Sequence, residues 1–94
     1  MNKVVKIAVV QMNASPAHVE ERLARAESLV IQCAEMGAQL IVLPEVFNTG
    51  YEYSDQNYLR AETLDGPTAA WMTQTASRYQ IHLAGSFLRR ERSD

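Results

Sequence analysis

The run Leu40-Ile41-Val42-Leu43-Pro44-Glu45 constrains the fold more than any other stretch of the chain. Four consecutive branched apolar residues suit a strand covered on both faces, as in a parallel sheet, and Pro44 has no N–H with which to continue a ladder. The strand therefore stops at Glu45. Open α/β sheets bind their ligands in the crevice beyond the carboxyl ends of the strands, so a carboxylate delivered there is a functional candidate by position. A solvated loop residue is the plainer reading, and on this stretch alone the commoner one.

The preceding sequence fits a strand-helix-strand unit. Val4 to Met12 contains Ile7-Ala8-Val9-Val10, a second β-branched run expected to be buried on both faces. Ser15-Pro16 suits a helix start, with serine able to cap and proline at the first helical position. Val19, Leu23, Ala26, Val30, Cys33 and Gly37 then recur at spacings of four and three on one stripe, while Glu20, Arg25, Glu27, Ser28 and Gln32 are expected to face outward. This predicts a helix of about five or six turns, closed by a left-handed Gly37. A crossover of that length joins parallel strands in a right-handed sense. The carboxyl ends of both strands then share one sheet edge, which brings Gln11 and Met12 towards Glu45.

Residues 46–65 carry no period. Asn48-Thr49-Gly50 has turn chemistry, and Tyr51, Tyr53 and Tyr58 supply aromatic surface with polar tips, which favours a functional loop over a disordered one. Asp65-Gly66-Pro67 opens a second helix with Asp65 placed to cap it, and Met72, Thr75, Ala76 and Tyr79 share its inner face. Trp71 flanks that face as packing. The helix ends around Arg78 to Gln80, and Ile81 to Leu88 reads as a third strand in which Gly85-Ser86 permits close approach of neighbouring backbone. The charged tail from Arg89 to Asp94 is a solvated strand exit. The order is β-α-β, loop, α-β, without repeats or linkers.

Several functions are disfavoured. The chain has 94 residues, 47% of them apolar, which supports one small domain. A net charge of -2 with interspersed signs offers no basic surface for nucleic acid. The opening apolar run is too short for a signal peptide or a membrane span. A single cysteine, Cys33, excludes an internal disulfide framework and fits a cytoplasmic setting. His18 and His82 lack metal-ligand spacing, so no metal is expected. Gln11-Met12-Asn13-Ala14-Ser15 has none of the glycines of a phosphate loop, which disfavours a flavodoxin-like nucleotide binder, and Gly85-Ser86-Phe87 is no nucleophile elbow. Cys33 lies on the inward stripe at the far end of the first helix and is read as core, where burial leaves a thiol inert.

Taken together, Lys6-Ile7-Ala8-Val9-Val10-Gln11-Met12, Gly37-Ala38, the Leu40 to Glu45 run, Thr49-Gly50-Tyr51 and Leu64-Asp65-Gly66-Pro67 resemble the N-terminal part of the nitrilase superfamily, the carbon-nitrogen hydrolases. The resemblance covers nearly the whole chain. It implies an α/β fold, the N-terminal part of an αββα sandwich in β-α-β, α-β order with mainly parallel strands, and makes residues 1–94 a portion of one larger hydrolase domain. It implies hydrolysis of a small-molecule amide, carbamoyl compound or nitrile by a Glu-Lys-Cys triad through an acyl-cysteine, with no metal or organic cofactor, in a homo-oligomer. Glu45 matches the family's general base, and Phe47 and Tyr51 stand where substrate-pocket residues often lie. The family's lysine and cysteine lie beyond the third strand, past Asp94. Lys3 and Lys6 precede the end of the first strand, and Cys33 is in a different element, so the 94 residues alone are expected to be inactive.

Elementary acid-base chemistry shows what the triad must achieve. A free glutamate titrates near 4.3 and a free cysteine near 8.5, so proton transfer between them is uphill by about 6 kcal/mol. Burying the carboxylate and setting an ammonium beside the thiol both narrow that gap. Strands apolar on both faces also need cover above and below, and two helices cannot provide it, so exposed sheet surface is expected. The same surface supports an alternative reading, a non-catalytic interaction module that pairs through an open sheet edge or face.

Overall fold

The computed structural model describes residues 4–51 and 59–91. Lys3, Tyr53, Tyr58 and residues 92–94 of the charged tail lie outside the described residues. In chain order the elements are β1 (Ile7–Val9), α1 (Val19–Glu35), β2 (Leu40–Val42), α2 (Pro67–Tyr79) and β3 (His82–Ala84). The strands form one sheet in the order β1-β2-β3, parallel throughout, with Ile7 opposite Leu40 and Leu40 opposite His82. Pairing runs slightly beyond the strands, since Val10 N–H donates to Val42 O and Leu43 N–H to Ala84 O, each at 2.8 Å. Pro44 comes next, and with no N–H to offer it ends the ladder.

Two successive crossovers of the same hand, stepping in the same direction across the sheet, place both helices on one face. The row Ala8, Ile41, Leu83 points to that side and joins Leu23, Ala26 and Val30 of α1 and Trp71, Met72 and Tyr79 of α2 in the core. Ile41, Ala26, Val30 and Phe47 are all 0% exposed. The alternating residues face the other way. There Ile7 is 60% and Val9 79% exposed, Leu40 and Val42 are half-buried, and His82 and Ala84 are exposed. The expected burial of β1 on both faces is therefore corrected: only the helix face is covered, and each bare Ile or Val forgoes a gain of about 1.5–3 kcal/mol.

Helix α1 ends as the sequence predicts. Gly37 has φ +90°, its N–H donates to Ala34 O, and Ala38 N–H reaches back to Cys33 O, the pattern of a Schellman motif. The start differs from Ser15-Pro16. Asn13 Oδ1 accepts the N–H of Ser15 at 2.8 Å, which folds residues 13–15 into a local turn, and the helix begins only at Val19 with His18 in the cap position and no side-chain cap bond. Glu27 does not simply face outward either. It accepts from Trp71 Nε1 at 3.1 Å and Tyr79 Oη at 3.3 Å and pairs with Arg78 at 3.6 Å, joining the two helices.

Helix α2 has Pro67 at its first position and closes with Gln80 in a left-handed conformation. Thr75 is buried and Met72, Ala76 and Tyr79 are half-buried, as their spacing predicts. The N–H of Thr68, however, is taken by Glu62 Oε1 at 2.8 Å, so the carboxylate comes from Glu62 and not from the Asp65 that the sequence predicts. β3 is shorter than Ile81 to Leu88, because the chain leaves the ladder after Ala84. A Cβ on Gly85 would lie 2.8 Å from the Phe47 ring, so the close approach at this glycine is to an aromatic side chain and not to backbone.

Candidate functional site

The carboxyl ends of β1 and β2 open on the same edge, and the loops that follow them are joined. Tyr51 N–H donates to Ala14 O at 2.7 Å. Gly50, at φ +82°, sits so close to the first loop that a Cβ there would come within 2.8 Å of Ala14 O and 2.7 Å of Ser15 O. Glycine is required at this position by both its dihedral and its neighbours.

Glu45 begins a turn over residues 45–49 and is exposed. Val46 follows with φ +46°, a left-handed conformation that a β-branched residue seldom takes and that costs on the order of 1–3 kcal/mol. Such strain persists only where the surroundings hold the turn, and here they do. The N–H groups of Thr49 and Gly50 donate to Val46 O at 3.2 and 3.0 Å. The Phe47 ring is enclosed in the core, 5.7 Å from the Trp71 ring centroid and against Gly85. Asn48 is 1% exposed, and its Nδ2 donates to Thr68 Oγ1 at 3.0 Å and to Glu62 Oε2 at 3.2 Å. Thr68 Oγ1 in turn donates to the same Glu62 oxygen at 2.7 Å, so one carboxylate ties the turn to the start of α2.

On the other side stands Arg22, 1% exposed on α1. Its Nε donates to Phe47 O at 2.8 Å, and its Nη1 donates to Asn13 O and, at 3.3 Å, to Ser15 O. Burial, with the neighbouring charge of Arg25 adding to it, holds the guanidinium below its ordinary pKa. The cation still finds three carbonyl dipoles from two loops, which suits the planar fork of arginine.

The sequence-predicted site residues are thus placed differently from one another. Glu45 is exposed at the sheet edge, Phe47 is fully enclosed, and Tyr51 is 48% exposed where the second loop meets the first. Among the described residues, one hollow of about 390 Å³ is lined by Thr63, Leu64, Asp65, Arg89 and Arg90, and another of about 440 Å³ lies beside Ile31 and Trp71. Glu45 lines neither. Lys6 sits at the opposite end of β1, where its Nζ donates to Met36 O at 3.3 Å beyond the end of α1. Cys33 is half-buried against the core. No group of His, Cys, Asp or Glu that could hold a metal occurs among the described residues, and none of their helices is long and apolar enough to cross a membrane.

Sequence reasoning missed Arg22 and Glu62, and it reads Asn48 as a turn residue without its bonds to Glu62 and Thr68. Arg22 carried a signal, since it lies four residues before Ala26 and three after Val19, inside the apolar stripe, where a charge calls for buried acceptors. Asn48 and Glu62 carried none, because no period links two loop positions.

The sequence model of the carbon-nitrogen hydrolase family matches residues 6–94. A nitrilase of Pyrococcus abyssi is 45% identical over 49 residues, covering 52% of this chain and 19% of the relative. An omega-amidase of Danio rerio is 34% identical over 92 residues, covering 92% of this chain and 30% of the relative. A 2-oxoglutaramate amidase of Bacillus subtilis is 33% identical over 90 residues, covering 94% of this chain and 34% of the relative. The chain thus spans about a third or less of the length of these curated relatives.

Proposed function

The chain belongs to the carbon-nitrogen hydrolase family, and from that premise we propose that residues 1–94 are the N-terminal part of one hydrolase domain in which Glu45 is the general base. The observation that carries the reading is the Pro44-Glu45 turn, which leaves the central strand at the shared sheet edge and is braced from both sides while its carboxylate stays free. In the complete protein Glu45 takes the proton of a cysteine supplied from beyond Asp94, and the thiolate attacks the carbonyl carbon of an amide. The same carboxyl group returns that proton to the departing amine, leaving an acyl-cysteine, and then draws a proton from the water that hydrolyses it. A lysine, also from beyond Asp94, stabilises the thiolate.

Two of the three relatives described are amidases, which supports an amide over a nitrile as substrate. Tyr51, exposed where the two loops meet, is the better placed of the two pocket candidates, and Phe47 acts from within the core as support for the turn. The family resemblance also supports a homo-oligomer that works without a metal or organic cofactor, and the single Cys33 fits a cytoplasmic setting.

The non-catalytic alternative is favoured by the open sheet face around Ile7 and Val9. Assaying both the 94-residue chain and the protein as its gene encodes it separates the readings. The hydrolase reading expects release of ammonia from a simple amide by the encoded protein only, with none from the 94 residues. Turnover by the 94 residues that Glu45→Gln abolishes would overturn the claim that the other two catalytic groups lie elsewhere.

A further inference from the structure

We propose that Arg22 is a positioning residue for Glu45, its buried guanidinium tying the carbonyl of Phe47 to those of Asn13 and Ser15 and so fixing the direction in which the Glu45 turn leaves the sheet. The inference rests on the reading of Glu45 as general base.

Arg22 projects from the N-terminal part of α1, between Val19 and Ala26 and beside the buried Leu23, so its backbone belongs to the packed helix. From there it reaches the main chain of both loops at once: the first immediately follows β1, and Phe47 O lies only two residues past Glu45. No neutral side chain offers enough donors for three carbonyls, and an ammonium would act as a point charge without the fork that spans them. The other supports of the turn hold its side chains, with Phe47 against Trp71 and Gly85, and Asn48 on Glu62 and Thr68. Arg22 holds its backbone, next to the strained Val46. Every residue from Phe47 to Gly50 is buried, and Glu45 is exposed. That is the arrangement of a fixed pedestal with a free reactive tip. A general base acts only within hydrogen-bond reach of its proton, so the direction of the pedestal enters the rate.

The test uses the protein as encoded, with Arg22→Lys, Arg22→Met and Glu45→Gln. Arg22→Lys keeps the charge and its aliphatic stem, and it decides the matter if Arg22→Met does not fold. The expected result is a folded R22K protein by circular dichroism, with amide exchange at Thr49, Gly50 and Tyr51 faster by roughly tenfold while α2 is unchanged. On a simple amide, kcat should fall by about 10–100-fold with KM within about threefold of the parent. A folded R22K protein that keeps kcat within about twofold overturns the inference, as does a loss of rate that only tracks loss of folded protein. Activity abolished by Glu45→Gln but spared by Arg22→Lys sinks the positioning role alone. Activity that survives Glu45→Gln sinks the parent reading and this inference with it.

Discussion

The two faces of the sheet are made from the same three short strands, yet one is finished and the other is not. On the helix side Ala8, Ile41 and Leu83 meet α1 and α2, and Ile41 is fully buried. One residue away along the same strands, Ile7 and Val9 stand largely in the open. Composition alone does not explain the difference, since the open row is apolar apart from His82. Topology does: the strands step in one direction across the sheet, α1 and α2 pack together on the same side, and no described element reaches the other. Apolar residues on an uncovered face therefore specify a surface that something else must meet.

The largest expected effect lies on the finished side. Phe47→Ala removes a fully buried ring that fills the space at Gly85 and leans on Trp71, and should lower unfolding free energy by about 3–5 kcal/mol in denaturant titration. A much smaller loss would show that the ring is not part of a close-packed core. Glu62→Ala should cost about 1–3 kcal/mol, because Thr68 and Asn48 lose an acceptor shared within the interior. Its signature is local: exchange should quicken at Thr68 and in the turn after Glu45 before it does in α1. Glu27→Gln comes next, at about 1 kcal/mol or less, since its partners are partly hydrated and the Arg78 contact is mostly exposed. Smallest of all, Val9→Lys should change the stability of the 94-residue chain by no more than about 0.5 kcal/mol while reducing its self-association in sedimentation. A cost for Val9→Lys comparable to that of Phe47→Ala would end the contrast between the faces.

The elements were legible where a local rule governs them. Leu40 to Pro44 announces a strand with a fixed end, Gly37 announces a left-handed helix stop, and the stripe through Leu23, Ala26 and Val30 announces the buried side of α1. What stayed hidden depends on distance in the chain. The late start of α1 follows from Asn13 turning on Ser15 and from Arg22 holding both carbonyls, and the cap of α2 comes from Glu62, six residues before the N–H it accepts. β1 begins only at Ile7, and Val4 and Val5 before it are exposed and lie outside the ladder. Glu45 was legible as a position because Pro44 ends the strand. Its surroundings were not, because the bracing of its turn arises from side chains that meet only after folding.

The most direct measurement is kcat/KM for a simple amide with the protein as encoded, parent against Glu45→Gln, a nearly isosteric change at an exposed side chain that leaves Arg22, Asn48 and Phe47 in place. The expected result is a fall of about 10²–10⁴-fold with unchanged stability, the scale of a lost general base. A Glu45→Gln protein that is equally stable and turns over amide at the parent's rate would contradict the assignment of Glu45.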